Sequence, residues 1–405
     1  MFHHRAVPIV LSVALIDAIG FGIVLPVLPS LVVELTGLSL PDATEVGGYL
    51  AAAYALAQFF AGPILGNLGD AVGRRRVLLF STIAFAIDYA LCAAAPTLAW
   101  LFLGRLVAGV AGATFGPANA VLADVTPPEK RGQTFGLMGA AFGIGFVVGP
   151  GIGGLMSDWG PRAPFLAAAA LAALNAVWIL VALPETMAPE KRRKFDIRQA
   201  HIIGSFRPLL HAGNATWLLF AVFLWQFAHM VYPATWAFWA SIAMGWSEKQ
   251  IGWSLAASGA CMVVVQAVVL RHALAKCGEQ RTAMIGILAG MTVFTGYVFA
   301  RENWMIFALI AVGALQAMAY PSMNGLLSRM TDPSHQGALQ GGMASLMSVT
   351  WIIAPLAMTQ VLAAGAKQGF NGGNFVLAAA LALGALLVMV FKVLGKVGPK
   401  AAEPS

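Results

Sequence analysis

GQTFGLMGAAFGIGFVVGPGIGGLMS, positions 132–157, contains neither an acid nor a base. A helix needs roughly 20 apolar residues to cross a hydrocarbon core. Lipid offers the backbone no hydrogen bonds, so a spanning segment is a helix or part of a closed barrel. The alternation of period two that marks barrel strands is absent, which leaves the helix. The rest of the 405-residue chain has the same character, with 59% hydrophobic and 10% charged residues. Soluble domains carry about 25% charged residues, so that class is excluded. The segment from Pro8 to Val33 is too long for the apolar core of a cleavable leader and reads as the first span. Cys92, Cys261 and Cys277 have no metal-ligand spacing and are expected to be packing residues. No cofactor, metal or nucleotide loop is expected.

Working outward from 132–157, charges and turn residues cut the chain into twelve apolar spans. They are 8–34, 46–69, 76–95, 98–122, 133–156, 162–183, 214–243, 249–272, 282–300, 303–327, 337–364 and 373–395. The reading is an all-α membrane protein: a six-helix bundle over 1–184, a linker over 185–213 and a second six-helix bundle over 214–405. With the N-terminus inside, the inner segments hold 19 bases and the outer connections 4, namely Arg162, Lys249, Arg301 and Lys367. Excess positive charge marks cytoplasmic loops, so both termini are expected in the cytoplasm of an inner-membrane protein. That distribution accounts for the net charge of +7 without a nucleic-acid partner. A monomer is expected.

The two halves repeat. Thr126, Pro128, Gly132, Gly136 and Pro150 recur as Thr331, Pro333, Gly337, Gly341 and Pro355, all at one constant offset. Internal repeats of this kind mark transporter folds, in which two bundles rock about a midplane site.

The loop after span 2 reads Gly66-Asn67-Leu68-Gly69-Asp70-Ala71-Val72-Gly73-Arg74-Arg75-Arg76 and resembles the G-x-L-G-D-x-x-G-R-R loop of the major facilitator superfamily. Gly149-Pro150-Gly151-Ile152-Gly153-Gly154 resembles the G-P-x-x-G-G motif of its antiporters. Leu15–Gly20, Pro26–Pro29, Tyr54–Gln58, Asp88-Tyr89, Leu103–Leu106 and Ser334–Gly341 are similar to the tetracycline/proton antiporters. The resemblance implies a proton-coupled exporter of a small organic solute. Two positions depart from it. Where that family has a histidine in span 8 and an aspartate in span 9, this chain has Met262 and Gly290.

Only Asp17, Asp88 and Arg105 place a charge well inside a span, all three in the N-terminal half. A charge at mid-bilayer costs roughly 3 kcal/mol or more unless a cavity or a partner receives it, so each is a candidate for proton coupling. Asp88 and Arg105 lie at matching depth on successive antiparallel spans and are expected to pair, as a static brace or as a gate. Asp17 has no base at its depth on the nearest spans, the alternative to proton coupling being a structural aspartate held by hydrogen bonds, and Gly20, Gly22, Pro26 and Pro29 let that helix bend. Gly66, Gly69, Asp70, Gly73 and Arg74 form a candidate cytoplasmic gate, the alternative being a basic loop that only sets topology. Gly149, Pro150 and Gly153 are a candidate hinge, or a site of close packing.

Gln58, Asn119, Gln226, His229, Tyr232, Trp236, Gln266 and Gln316 are candidate substrate contacts, since aromatic rings with a few amides suit an amphiphilic organic ligand. His229, Tyr232, Trp236 and Trp239 share one helical face, while Trp239 and Trp246 read as interfacial anchors. The function expected is proton-driven antiport of a drug-like solute. A proton-coupled importer and a non-transporting receptor or assembly factor are the alternatives, the second disfavoured by the buried charges.

Overall fold

The structure is a computed structural model. It describes residues 5–112, 115–127, 130–187, 190, 192–193, 195, 215–331 and 336–394. Pro128, Pro333, Ser334 and His335, most of the linker with Asp196, and Lys396 and Lys400 lie outside them.

Among the described residues ten helical runs are long and apolar enough to cross a membrane. One of these, Glu248–Phe299, is 52 residues long and holds two crossings, because the backbone reverses at Gly278. A further crossing is assembled from Leu98–Ala111 and Phe115–Val125, each too short alone. The twelve spans are thereby all accounted for. Gly278 turns with φ 73°, and Gly73, its counterpart in the repeat, turns between spans 2 and 3 with φ 107°. Residues with a Cβ rarely adopt either angle, so a glycine stands at both reversals.

Several spans are interrupted, and of these breaks only that in span 1 falls where a bend is expected from the sequence. Span 1 breaks between Ala6–Val24 and Leu28–Thr36, around Pro26. Span 8 passes through a π-turn at Val265–Val269 and span 10 through a tight turn at Ala314–Met318. Span 4 is interrupted at Gly112, within the stretch that the repeat aligns with the turn of span 10. Span 5, Arg131–Met156, runs through Pro150 without interruption.

The chain forms two compact units. The first contains the described residues before 202, Pro233–Ala260 and Pro355–Asn371. Spans 1 and 5 make its closest seam. A Cβ on Gly145 would come 2.6 Å from the carbonyl oxygen of Leu15, and one on Gly149 2.6 Å from that of Ile19. A Cβ on Gly153 would overlap the carbonyl oxygen of Ile23. Small residues every fourth position let two backbones touch, and dispersion from that contact replaces the hydrophobic drive that lipid removes. Of the two readings of Gly149-Pro150-Gly151, close packing is what the seam displays. The parts of spans 7, 8 and 11 in this unit are their ends on the side assigned to the exterior. Glycine again sets the approach: a Cβ on Gly154 would meet Gly252 at 3.1 Å.

The second unit contains 215–232, Cys261–Ala354 and the described residues from Gly372 onward. Span 12, Gly373–Val388, packs on spans 7 and 9, and span 9 on span 10. The same pairings recur as span 6 on spans 1 and 3 in the first unit.

Candidate functional site

The interior charges of the first unit converge on the middle of spans 1 to 4. Asp88 of span 3 is fully buried, and the Arg105 guanidinium of span 4 donates to its Oδ2. The Cys92 thiol donates to Asp88 Oδ1 at 3.4 Å and lies 3.6 Å from the guanidinium. A Cβ on Gly104 would come within 2.7 Å of Asp88 Oδ1, so the glycine beside Arg105 makes the room in which the pair forms. Breaking such a pair by removing one partner leaves an uncompensated charge and costs about 3–5 kcal/mol. The pair expected from matching depth is therefore present.

Asp17 is half-buried on span 1 and takes an uncharged partner. The Asn175 amide of span 6 donates to Asp17 Oδ1 at 2.9 Å. Tyr89 of span 3 packs where a Cβ on Gly20 would stand, 3.5 Å from its ring. Tyr54 of span 2 and Tyr89 are both within electrostatic reach of Asp17, Asp88 and Arg105. Two carboxylates, one with a cation and one with an amide, share a single polar neighbourhood inside an otherwise apolar bundle.

Gln58 serves the break in span 4. Its amide donates to the carbonyl oxygen of Gly112 at 2.8 Å and approaches the Tyr54 hydroxyl at 3.5 Å. An interrupted helix leaves carbonyls without partners, and a side-chain amide is one way to satisfy them. Asn119 is half-buried on the second half of span 4.

At the loop after span 2, Arg74 pairs with Asp70 at 2.5 Å and approaches Asp124 at 3.6 Å. Gly69 leaves room for the Arg74 guanidinium, and the Glu185 carboxylate occupies the space where a Gly73 side chain would stand. Glu185 Oε1 accepts from the backbone N–H groups of Arg74, Thr186 and Met187 at 3.0–3.2 Å. That carboxylate caps span 3 at the positive end of its helix dipole. Gly66 faces open space. Asp124 and Glu185 escaped the sequence reading. The repeat holds the signal for Asp124, because its counterpart Arg329 pairs with Glu279, the counterpart of Arg74, at 3.1 Å.

In the second unit the rings interlock. His229 lies 5.3 Å from Tyr232 and 6.0 Å from Trp225, and Tyr232 lies 5.6 Å from Phe294, centroid to centroid. Gln316 donates to the Tyr232 hydroxyl at 3.1 Å, while its Oε1 is buried without a hydrogen-bond partner. Gln226 donates to the Met347 thioether at 3.3 Å, a weak acceptor. Gln266 lies in the π-turn of span 8 and is exposed. A Cβ on Gly290 would come 2.5 Å from the Trp225 ring.

Along the run His229, Tyr232, Trp236, Trp239, the helix is irregular at Met230, and the first two residues belong to the second unit and the last two to the first. One expectation needs correction: Trp239 and Trp246 are not interfacial anchors. They are 1% and 5% exposed, and both pack against Trp236, whose indole N–H donates to Ser254 at 2.9 Å. A ring enclosed by its neighbours cannot lie among lipid headgroups.

Among the described residues no group of three or more His, Cys, Asp or Glu side chains has the geometry to hold a metal ion.

The family model described as Major Facilitator Superfamily matches residues 10–245 and 230–405. The chain is 38% identical to the class C tetracycline resistance protein of Escherichia coli over 383 residues, covering 95% of this chain and 96% of that one. It is 36% identical to the class G protein of Vibrio anguillarum, over 93% and 94% of the two chains. The crystal structure of the human organic anion transporter MFSD10 (TETRAN) superposes with a TM-score of 0.70 at 22% identity, covering 95% of this chain and 99% of that one. That last likeness concerns the fold.

Proposed function

The chain belongs to the major facilitator superfamily, and from that premise we propose that it exports an organic, drug-like solute in exchange for protons, by alternating access. The observation that carries this reading is the pair of interior carboxylates, Asp88 on Arg105 and Asp17 on Asn175. Antiport needs a group that holds a proton in one state and yields it in another. Carboxylates in unlike surroundings release protons under unlike conditions, and these two are the acids placed well inside the spans.

The remaining assignments follow from that reading. The loop Gly66–Arg76 with Asp124 and Glu185 is the cytoplasmic gate, and Gly149, Pro150 and Gly153 hold the seam about which spans 1 and 5 move. Gln58, Asn119, Gln226, His229, Tyr232, Trp236, Gln266 and Gln316 contribute to substrate contact. The halves 1–184 and 214–405 act as the two bundles joined by a cytoplasmic linker, with both termini in the cytoplasm and the protein a monomer. The relatives named for tetracycline resistance make tetracycline the first compound to try.

The test is transport in proteoliposomes with an imposed pH gradient, beside counterflow of the same solute without one. Export driven by the gradient, and lost in both Asp17→Asn and Asp88→Asn, supports the reading. Wild-type accumulation by both variants places the proton carrier elsewhere. Uptake in the same direction as the proton favours an importer instead. Counterflow in the absence of any pH-driven transport leaves a carrier without coupling.

A further inference from the structure

Asn175 has no place in the mechanism above beyond touching Asp17, yet its setting is unusual. It sits on span 6 with no exposed surface, inside a helix whose other buried residues are proline, phenylalanine, isoleucine and alanine. Its Nδ2 donates to Asp17 Oδ1 at 2.9 Å and to the carbonyl oxygen of Val13 at 3.2 Å. Its own Oδ1 is buried and has no hydrogen-bond partner. A buried amide with an idle acceptor destabilises a bundle relative to an apolar side chain of similar size. Fold stability therefore does not account for this asparagine, and the bond to Asp17 does.

We infer that Asn175 is a positioning residue for proton coupling: it anchors the Asp17 carboxylate to span 6 and sets the balance between its protonated and ionised forms. The inference rests on Asp17 carrying a proton, as proposed above. The bond to Val13 fixes the amide on the helical turn that precedes Asp17, so the donor is preset before any proton arrives. An amide N–H grips an ionised carboxylate more strongly than a neutral one. The other titratable groups that interact with Asp17 are Tyr89 of span 3 and Tyr54 of span 2, and both of these also interact with Asp88 and Arg105. Spans 5 and 6, which pack directly on span 1, place no acid or base beside it; span 6 supplies only Asn175. Among the described residues, this amide is the side chain that donates directly to the carboxylate.

The experiment compares Asn175→Leu, Asn175→Asp and Asn175→Gln with wild type in proteoliposomes. Three readouts are taken: the pH profile of gradient-driven export, counterflow at fixed pH, and thermal stability in detergent. Asn175→Leu keeps the volume and removes the donor. It is expected to fold with unchanged or higher stability and to retain counterflow. Its pH profile is expected to move toward higher pH by about one unit, the scale set by losing a single hydrogen bond to a charged group. Asn175→Asp adds a second carboxylate that competes for the same proton and displaces it further. Asn175→Gln restores a donor and moves the profile back toward wild type. A profile unmoved in both the Leu and Asp variants overturns the inference. So does a loss of stability with export and counterflow falling together, which is the signature of a merely structural amide. If Asp17→Asn itself sustains gradient-driven export, the proposed coupling fails first and is distinguished from a failure at Asn175.

Discussion

The reversal after span 2 and the reversal after span 8 occupy equivalent places in the two halves and share a plan. Each turns on a glycine with positive φ, Gly73 and Gly278. Each opens the following helix with a charged residue, and that residue pairs with a partner near the end of the next span: Arg74 with Asp124 and Glu279 with Arg329. The signs are exchanged. Arg74 corresponds to Glu279 and Asp124 to Arg329. A duplicated backbone thus keeps the place of the ion pair and leaves its polarity free, because attraction depends on the product of the charges. The surroundings differ too. Arg74 is 14% exposed and has Asp70 as a closer partner; its counterpart Glu279 is similarly enclosed at 17%, but its partner Arg329 is 70% exposed and Ala275 stands at the position matching Asp70. The first reversal is built into a network of two acids, and the second is a single pair with an exposed arginine.

The interior charges extend the contrast between the halves, and they carry the largest expected effect. Asp17→Asn and Asp88→Asn are each expected to reduce gradient-driven accumulation by about tenfold or more, as befits functional charges inside a membrane. Asp17→Asn keeps counterflow, since Asn cannot exchange a proton but fills the same space. An equally severe loss from an uncharged substitution in the second half, such as Gln226→Leu, would erase the asymmetry of coupling.

Arg74→Ala is expected to reduce transport by roughly tenfold with normal membrane insertion, because removing one partner strands a partly buried charge. The reversed pair Arg74→Glu with Asp124→Arg copies the polarity of the second half. It should regain part of that loss, and Asp70, left beside a glutamate, should prevent full recovery. Complete recovery would mean that pairing alone matters at this reversal.

Gly290→Asp introduces an acid in span 9 at the position where the resemblance to the tetracycline/proton antiporters implies one. Its side chain meets the Trp225 ring, so about 1–3 kcal/mol of destabilisation is expected by overpacking. Thermal unfolding checks it, and a stable variant would show that Trp225 yields. In the same membranes the unmodified protein is expected to export tetracycline weakly, with Met262 and Gly290 in place of the polar pair.

Glu279→Gln should change transport by no more than about twofold, because the exposed Arg329 it releases is solvated by water and a pair with an exposed member contributes about 0–1 kcal/mol. A tenfold loss would give the second reversal a role equal to the first.

The smallest effect is expected at Lys367, which bridges Asp42 at 2.7 Å and Glu45 at 2.6 Å. Hydrogen bonding from Lys367, and then from Ser39, lowers the Asp42 pKa, and the bonds to Asp42 and Glu45 push Lys367 up to about 12. The depressed acid contributes above its unfolded pKa and loses that contribution only as pH falls through the folded value. The raised base contributes fully below 10.5 and loses it as pH rises through about 12. Asp42 and Lys367 therefore both stay ionised throughout the neutral range. Lys367→Gln should leave the shape of the pH profile of transport unchanged, and a displaced profile would assign proton sensing to this exposed cluster.

Composition and charge spacing were enough for the helical membrane architecture and the count of twelve spans, because hydrocarbon admits so few backbone solutions, and the internal repeat was legible because duplication preserves residues such as Thr126 and Thr331 or Pro150 and Pro355 at one offset. The interior position of Asp17, Asp88 and Arg105 was legible for the same reason: a charge inside an apolar run stands out without a structure. Partners were legible only where depth along successive helices sufficed, as for Asp88 with Arg105. Asn175 as the partner of Asp17, Gln58 as the support of the break at Gly112, and Glu185 as the cap of span 3 required the tertiary structure. Each joins residues far apart in the chain through hydrogen bonds whose donors are common and uncharged or whose acceptor sits in a loop. The same limit explains the tryptophans of span 7. Sequence gives their helical spacing, and only packing decides whether a ring meets lipid, solvent or another ring.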